Sequence, residues 1–88
     1  MTLLKALKYM KTPLQLHELP IGSRAVIAGY GMINEFTERL QELGLIPGTL
    51  IKIVRRAPFK GPVEISYGTN RVAVRAHESD SIFVECLN

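Results

Sequence analysis

The chain has 88 residues, of which 47% are hydrophobic and 22% are charged, and its formal net charge is +3. This length fits one domain that is too small to enclose a large active site, and the composition is too apolar for a disordered chain. A single cysteine, Cys86, excludes an internal disulfide, so nothing points to an oxidising compartment. No apolar run approaches the ~20 residues of a membrane span, and no secretory signal is recognisable. We therefore expect a cytoplasmic protein.

The first segment, residues 1–13, is expected to be an N-terminal amphipathic helical extension, separate from a domain over residues 14–88. Its apolar side chains recur at helical spacing, and they are Leu3, Leu4, Leu7 and Met10. Pro13 ends the pattern. A helix of about ten residues is marginal alone and has to pack on something. We expect it to dock on its own domain, with self-association through residues 1–12 and membrane-surface contact as the alternatives.

The clearest helix is predicted over residues 34–43. Asn34 is a good N-cap, and Gly44 is placed to end the helix with a left-handed residue. The inward side chains are predicted to be Phe36, Leu40 and Leu43. On the outer face, Glu35 and Arg39 are four residues apart, the spacing of an ion pair.

The rest of the pattern is β. Five short strands are predicted over residues 24–30, 49–56, 63–67, 71–75 and 82–86. A bulge or bend is expected near Gly29 and Gly31, and residues 77–81 read as a single tight turn. Five short strands in so small a chain avoid exposed edges by closing up. We therefore predict a mostly β fold, a small SH3-like β-barrel of about five strands with an inserted α-helix and the short N-terminal helix.

The sequence contains no recognisable set of catalytic residues. A nucleophile needs a base within hydrogen-bond reach, and Cys86 lies in a predicted terminal strand without a neighbouring base. His17 and His77 lie in no motif, and their acidic neighbours Glu18 and Glu78 stand at i+1 spacing, where side chains point apart. No glycine-rich phosphate loop and no zinc-binding spacing is present. We predict no catalytic residue, no metal site and no cofactor.

Nucleic-acid binding is suggested by five basic residues that the strand pattern allows to share a face. They are Arg55, Arg56, Lys60, Arg71 and Arg75. Proteins that bind single-stranded nucleic acid usually interleave exposed aromatic residues with basic ones, whereas the nearby aromatics are only Phe59 and Tyr67, and Tyr67 is predicted to face inward. We expect no nucleic-acid binding, and a small RNA- or DNA-binding barrel stays the alternative.

Two loops, over residues 39–48 and 55–62, place apolar residues beside rigid proline and glycine turns. A stiff loop loses less conformational entropy on binding, and arginine and aromatic side chains are frequent interface anchors. The predicted partner-binding residues are Arg39, Leu45, Ile46, Pro47, Arg55, Arg56, Pro58, Phe59 and Lys60. The alternative is that both loops are structural turns, with Leu45 and Ile46 covering the end of the barrel.

The ordered set of motifs over roughly residues 14–85 resembles the FeoA family. The matching pieces, in chain order, are Leu16, Leu19 and Gly22; Ala25 and Ile27; Arg39-Leu40, Leu43-Gly44-Leu45 and Pro47-Gly48; Arg56-Ala57-Pro58 and Gly61-Pro62; and Val72-Ala73-Val74-Arg75. The sequence departs from the family at Phe59-Lys60-Gly61, where the family often has a Leu-Gly-Asp-like stretch.

This resemblance implies an SH3-like barrel without enzymatic activity that interacts with FeoB, the ferrous iron transporter. The implied contact is the cytosolic GTP-binding domain of FeoB, so that the protein is peripheral to the membrane only through its partner. Related domains occur in iron-dependent repressors, which makes a small regulatory barrel the alternative. The single strong internal helix cannot supply a helix-turn-helix.

Overall fold

The computed structural model describes residues 13–87, and its main feature is a six-stranded antiparallel sheet. The strands are β1 (Leu14–Gln15), β2 (Arg24–Tyr30), β3 (Leu50–Arg56), β4 (Val63–Tyr67), β5 (Asn70–Val74) and β6 (Ile82–Cys86). Their order across the sheet is β1-β6-β2-β3-β4-β5. A 3-10 turn (Leu16–Glu18) follows β1, helix α1 (Glu35–Glu42) lies between β2 and β3, and helix α2 (Ala76–Ser79) lies between β5 and β6.

One hydrophobic core receives side chains from every strand between β2 and β6. Alternate residues of a strand point to the same face, and in β4 the inward residues are Val63, Ile65 and Tyr67, with exposed fractions of 1%, 0% and 8%. Since five neighbouring strands bury the same face in one core, the sheet has to curl around that core. The mostly β prediction is confirmed, and so is the inward position of Tyr67.

The sheet differs from the predicted one at its edge, whereas its irregularity near Gly29 is the expected one. The sixth strand, β1, pairs Leu14 with Val84 and Gln15 with Phe83. Two residues are too few to show the period-two pattern from which strands are predicted. The ladder between β2 and β6 shifts register between Ile27 and Gly29, as the expected bulge requires.

Helix α1 begins as predicted and ends differently. The Asn34 side chain accepts a hydrogen bond from the Thr37 backbone N–H at 2.9 Å, which satisfies one donor of the first turn. At the other end the predicted inward position of Leu43 is wrong, because the helix ends at Glu42 and Leu43 is 48% exposed. The core position belongs to Leu45, whose backbone N–H donates to the Leu40 carbonyl at 3.0 Å.

Two further expectations concern an ion pair on helix α1 and the N-terminal helix. No ion pair joins Glu35 to Arg39 among the described residues, so that prediction is wrong. The predicted N-terminal helix lies outside the described residues. Within residues 13–87, none of the helices combines the length and the apolar character needed to cross a membrane.

Candidate functional site

The connection between β3 and β4, which we call the 57–62 loop, has an unusual backbone. The Gly61 N–H donates to the Pro58 carbonyl at 3.1 Å, which closes a tight turn whose central residues are Phe59 and Lys60. Their φ angles are 58° and 59°, in the left-handed region. Two central residues with positive φ are typical of a type I′ turn, which favours glycine and asparagine. A side chain in this conformation costs roughly 1–2 kcal/mol per residue.

Close contacts at the base of the 57–62 loop hold this turn in place. The Ala57 N–H donates to the Pro62 carbonyl at 3.0 Å. A Cβ at Gly61 would lie 2.5 Å from the Cβ of Ala57 and 3.0 Å from the Pro58 carbonyl oxygen, distances that leave no room for a side chain. Gly61 is therefore used for a close approach of the backbone, and the left-handed positions fall to residues with side chains.

The tip of the 57–62 loop presents an aromatic ring to solvent. The Phe59 side chain is 99% exposed. Burying a phenylalanine side chain is worth about 1.5–3 kcal/mol, and this ring gains nothing from the described part of the fold. Strained backbone combined with an exposed ring makes Phe59 a candidate for function, because strained residues cluster at active and binding sites.

The structure separates the predicted contact residues into two groups at opposite ends of β3. Leu45, Ile46 and Pro47 precede the strand, whereas the 57–62 loop follows it. A strand of seven residues with a rise of about 3.3 Å per residue keeps the two groups roughly 20 Å apart. They do not form one patch, and Arg39 stands exposed on helix α1, which precedes the first group in the chain.

Leu45 is the clear correction within the first group. It was predicted to be an exposed contact residue, but its side chain is 0% exposed and belongs to the core. The phenolic O–H of Tyr30 donates to its backbone carbonyl at 2.6 Å, and that of Tyr67 donates to the Leu43 carbonyl at 3.1 Å. Burial, with a smaller contribution from Tyr67, raises the pKa of Tyr30 to about 12. Ile46 stays 52% exposed.

The two predicted arginines of the second group have different roles. The guanidinium of Arg56 donates to the His17 carbonyl at 2.8 Å and to the Leu19 carbonyl at 2.5 Å, so it ties the segment after β1 to the end of β3. Arg55 points to solvent and lies 3.5 Å from a carboxylate oxygen of Glu64. Arg56 is therefore a structural clamp whose charge has no acidic partner within residues 13–87.

A cleft beside the 57–62 loop, which we call the basic cleft, has a volume of about 520 Å³. Its walls come from the 3-10 turn, the β3–β4 connection and the segment around α2, and they are lined by His17, Arg56, Lys60, Gly61, Val63, Ala76, His77 and Asp80. Sequence reasoning did not find this cleft, because its walls are distant in the chain and no local motif relates them.

In the fold, the acidic residue beside His17 is Asp80 and not its neighbour in the chain, Glu18. Its Nε2 lies 3.2 Å from Oδ1 of Asp80 and 2.7 Å from Oε1 of Gln15. Within residues 13–87, no three histidine, cysteine, aspartate or glutamate side chains stand close enough together to hold a metal ion. The arrangement offers hydrogen-bond donors and positive charge rather than a ligand cage.

A family model described as the FeoA domain matches residues 14–86 of the chain. A curated relative, the Fe(2+) transport protein A/Fe(2+) transporter FeoB fusion protein of Porphyromonas gingivalis, is 31% identical over 75 residues. Those residues are 85% of this chain and 9% of the fusion protein, so the chain spans only a small part of that relative.

Solved structures show the same likeness. The FeoA protein of Chlorobium tepidum is 31% identical with a TM-score of 0.79, over 85% of this chain and 71% of that chain. The FeoA of Stenotrophomonas maltophilia, crystallised with zinc and called a prokaryotic SH3 domain protein, is 26% identical with a TM-score of 0.70, over 85% of this chain and 91% of that chain.

The IdeR protein of T. acidophilum shares the fold alone, at 22% identity and a TM-score of 0.76 over 89% of this chain and 36% of that chain. The family match covers nearly all of the described residues, and the SH3-like fold expected from the strand pattern agrees with it. The chain therefore belongs to the FeoA family, whose members are non-enzymatic accessory proteins of ferrous iron transport.

Proposed function

We propose that this FeoA domain binds the cytosolic GTP-binding domain of the FeoB ferrous iron transporter through its 57–62 loop and thereby modulates Fe(II) uptake. The observation that carries the proposal is Phe59, an aromatic ring that is 99% exposed on a turn with two strained residues. An aromatic anchor on a rigid turn loses little entropy on binding, because its backbone is already ordered. The protein would act in the cytosol, at the membrane only through FeoB.

The identity of the partner is supported by gene fusion in a relative. In the protein of Porphyromonas gingivalis, an Fe(2+) transport protein A segment and FeoB are parts of one chain. Joining two modules raises their effective concentration to the millimolar range, so that even a weak contact is populated. An interface built around one loop fits such a weak contact, since small interfaces are characteristic of transient complexes.

The alternative of a nucleic-acid-binding barrel is not favoured by the geometry. Two of the basic residues considered for it, Arg55 and Arg71, lie 3.5 and 3.4 Å from the carboxylate of one residue, Glu64. The likeness to the repressor IdeR, at 22% identity, concerns the fold alone.

The direct experiment measures the affinity of the wild-type chain and of Phe59→Ala for the cytosolic domain of the FeoB protein from the same source, by isothermal titration calorimetry. We expect at least tenfold weaker binding, or about 1.4 kcal/mol, which is the lower range for an aromatic anchor. The thermal midpoint should stay unchanged, because the ring contacts solvent.

The matched control is Ile46→Ala, which removes a half-exposed apolar side chain at the opposite end of β3. We expect this variant to bind FeoB as the wild type does. Equal affinities of Phe59→Ala and the wild type would contradict the proposed contact, and absence of any binding by the wild type would contradict the assignment of the partner.

A further inference from the structure

The basic cleft carries positive charge that the described part of the fold leaves uncompensated. Arg56 and Lys60 both line it, and neither forms an ion pair with a carboxylate of residues 13–87. The acidic residue on its wall, Asp80, is engaged with Nε2 of His17 at 3.2 Å. His77 adds a second imidazole to the same wall. The cleft therefore offers two permanent cations and two imidazoles against one carboxylate.

The Arg56 guanidinium is held in place before any ligand arrives. Its Nη1 donates to the His17 carbonyl and its Nη2 to the Leu19 carbonyl, both neutral acceptors that leave the charge in place. A guanidinium carries five N–H donors, so further donors remain for a ligand. Carboxylates match this planar fork, and charge-assisted hydrogen bonds are about twice as strong as neutral ones.

Lys60 and Phe59 connect this cleft to the strained turn. Lys60 lies on the cleft wall, while its neighbour Phe59 is the exposed ring at the tip of the same turn. Both residues have the left-handed backbone of the turn. One partner segment could therefore meet a cationic cleft and an aromatic ring within two residues of each other.

We propose that the basic cleft binds a side-chain carboxylate of a protein partner, in a segment that also covers Phe59. The proposal rests on the proposed function and deepens it, because it assigns an acidic character to the contacting segment of that partner. Charge complementarity is the reason for proposing an acidic side chain, because the cleft is cationic and a carboxylate supplies the missing counter-charge. Inorganic phosphate shares the anionic chemistry, and the experiment separates the two sources.

The probe is the peptide N-acetyl-Glu-Glu-Glu-amide, titrated into the uniformly 15N-labelled full chain and followed by amide chemical shifts. We expect millimolar binding, with the largest shifts at the amides of Gly61 and His77. The neutral peptide N-acetyl-Gln-Gln-Gln-amide should bind at least tenfold more weakly, and inorganic phosphate at equal ionic strength should bind more weakly than the glutamate peptide.

The variant is Lys60→Gln, which removes the charge and keeps a side chain on the left-handed backbone. We expect it to weaken binding of the glutamate peptide at least threefold. Lys52→Gln, an exposed lysine of β3 that does not line the cleft, is the matched control and should bind as the wild type does. Both positions are exposed, so neither substitution threatens the fold.

Several results would overturn the proposal: equal binding of the neutral peptide, unchanged binding by Lys60→Gln, shifts centred outside the cleft, or tighter binding of phosphate. Failure of the cleft and failure of the FeoB assignment are distinguishable. If Phe59→Ala weakens FeoB binding and Lys60→Gln leaves it unchanged, the proposed carboxylate site is wrong and the assignment of FeoB as the partner is retained. If the glutamate peptide occupies the cleft and FeoB does not bind, the carboxylate site is retained and the assignment of FeoB as the partner is wrong.

Discussion

Two turns at opposite ends of β3 both contain proline and glycine, but they place different residue types at the left-handed backbone positions. In the first, residues 43–49, which we call the helix-exit turn, the left-handed positions are Gly44 and Gly48, with φ of 103° and 93°. In the 57–62 loop the left-handed positions are Phe59 and Lys60. Glycine adopts positive φ without steric cost, whereas other residues do not. The left-handed positions of the first turn are therefore relaxed glycines, whereas those of the second turn are strained residues that carry side chains.

The same contrast holds for the apolar side chains of the two turns. Leu45 of the helix-exit turn is wholly buried, whereas Phe59 is almost wholly exposed. A relaxed turn that buries its apolar residue contributes to folding. A strained turn that exposes its apolar residue weakens the fold, so its composition is better explained by binding. The difference shows that proline and glycine content alone does not separate structural turns from contact loops.

The largest expected effect tests whether the helix-exit turn is structural. Leu45→Ala should lower the free energy of unfolding by about 2–5 kcal/mol, because it removes a fully buried side chain and leaves a cavity. Urea denaturation followed by circular dichroism measures the change. Ile46→Ala, at a half-exposed position, should change stability by less than about 0.5 kcal/mol. Similar losses in both variants would remove the distinction between these neighbours.

A reciprocal pair of substitutions tests the backbone contrast itself. Gly48→Ala should destabilise the protein by about 1–2 kcal/mol, since nothing lies within 4 Å of the added Cβ and only backbone strain contributes. Lys60→Gly should stabilise it by about 0.5–1 kcal/mol, because relief of strain exceeds the added freedom of the unfolded chain. Thermal unfolding measures both, and a change of the same sign in the two variants would contradict the comparison.

The last expected effect concerns Tyr30, which anchors the helix-exit turn through the Leu45 carbonyl. Its pKa rises from 10.0 to about 12 in the folded state, first through burial and then through Tyr67. The unfolded chain therefore releases this proton at lower pH than the folded chain does. The stability that Tyr30 contributes is fully present below pH 10 and is lost as the pH rises towards about 12.

Tyr30→Phe provides the measurement for that pH dependence. At pH 7 the variant should lose about 0.5–1.5 kcal/mol, the usual net value of one hydrogen bond. Between pH 10 and about 12 its stability should fall less steeply than that of the wild type, as determined from urea midpoints. Parallel pH profiles of the two proteins would mean that Tyr30 is not responsible for the loss.

Much of the fold was predictable because its signals are local. The strand over residues 24–30 and the strand over residues 63–67 have the predicted bounds, since buried β-strands are short apolar or alternating runs. The cap of helix α1 at Asn34 was readable for the same reason, because its partner Thr37 lies three residues away. The two-residue strand β1 was not, because it exists only through its pairing with β6.

The candidate site was predictable in part. The sequence identified Phe59 and Lys60 as loop residues beside prolines, and the structure brings them to an exposed turn. It did not distinguish Leu45 from Ile46, because the side of the chain that meets the core after a helix depends on where the helix ends. The partner-binding role of Phe59 and Lys60 stays a prediction.

The sequence alone determined that strands dominate the chain, that one capped helix interrupts them, and that motifs of the FeoA family appear in order. Only the tertiary structure decided which of two similar turns is buried, and that His17, Arg56 and Asp80 share a cleft. The physical reason is the range of the interactions. Periodicity and capping act within a few residues, whereas burial and the pairing of charges depend on segments that meet only when the sheet curls around its core.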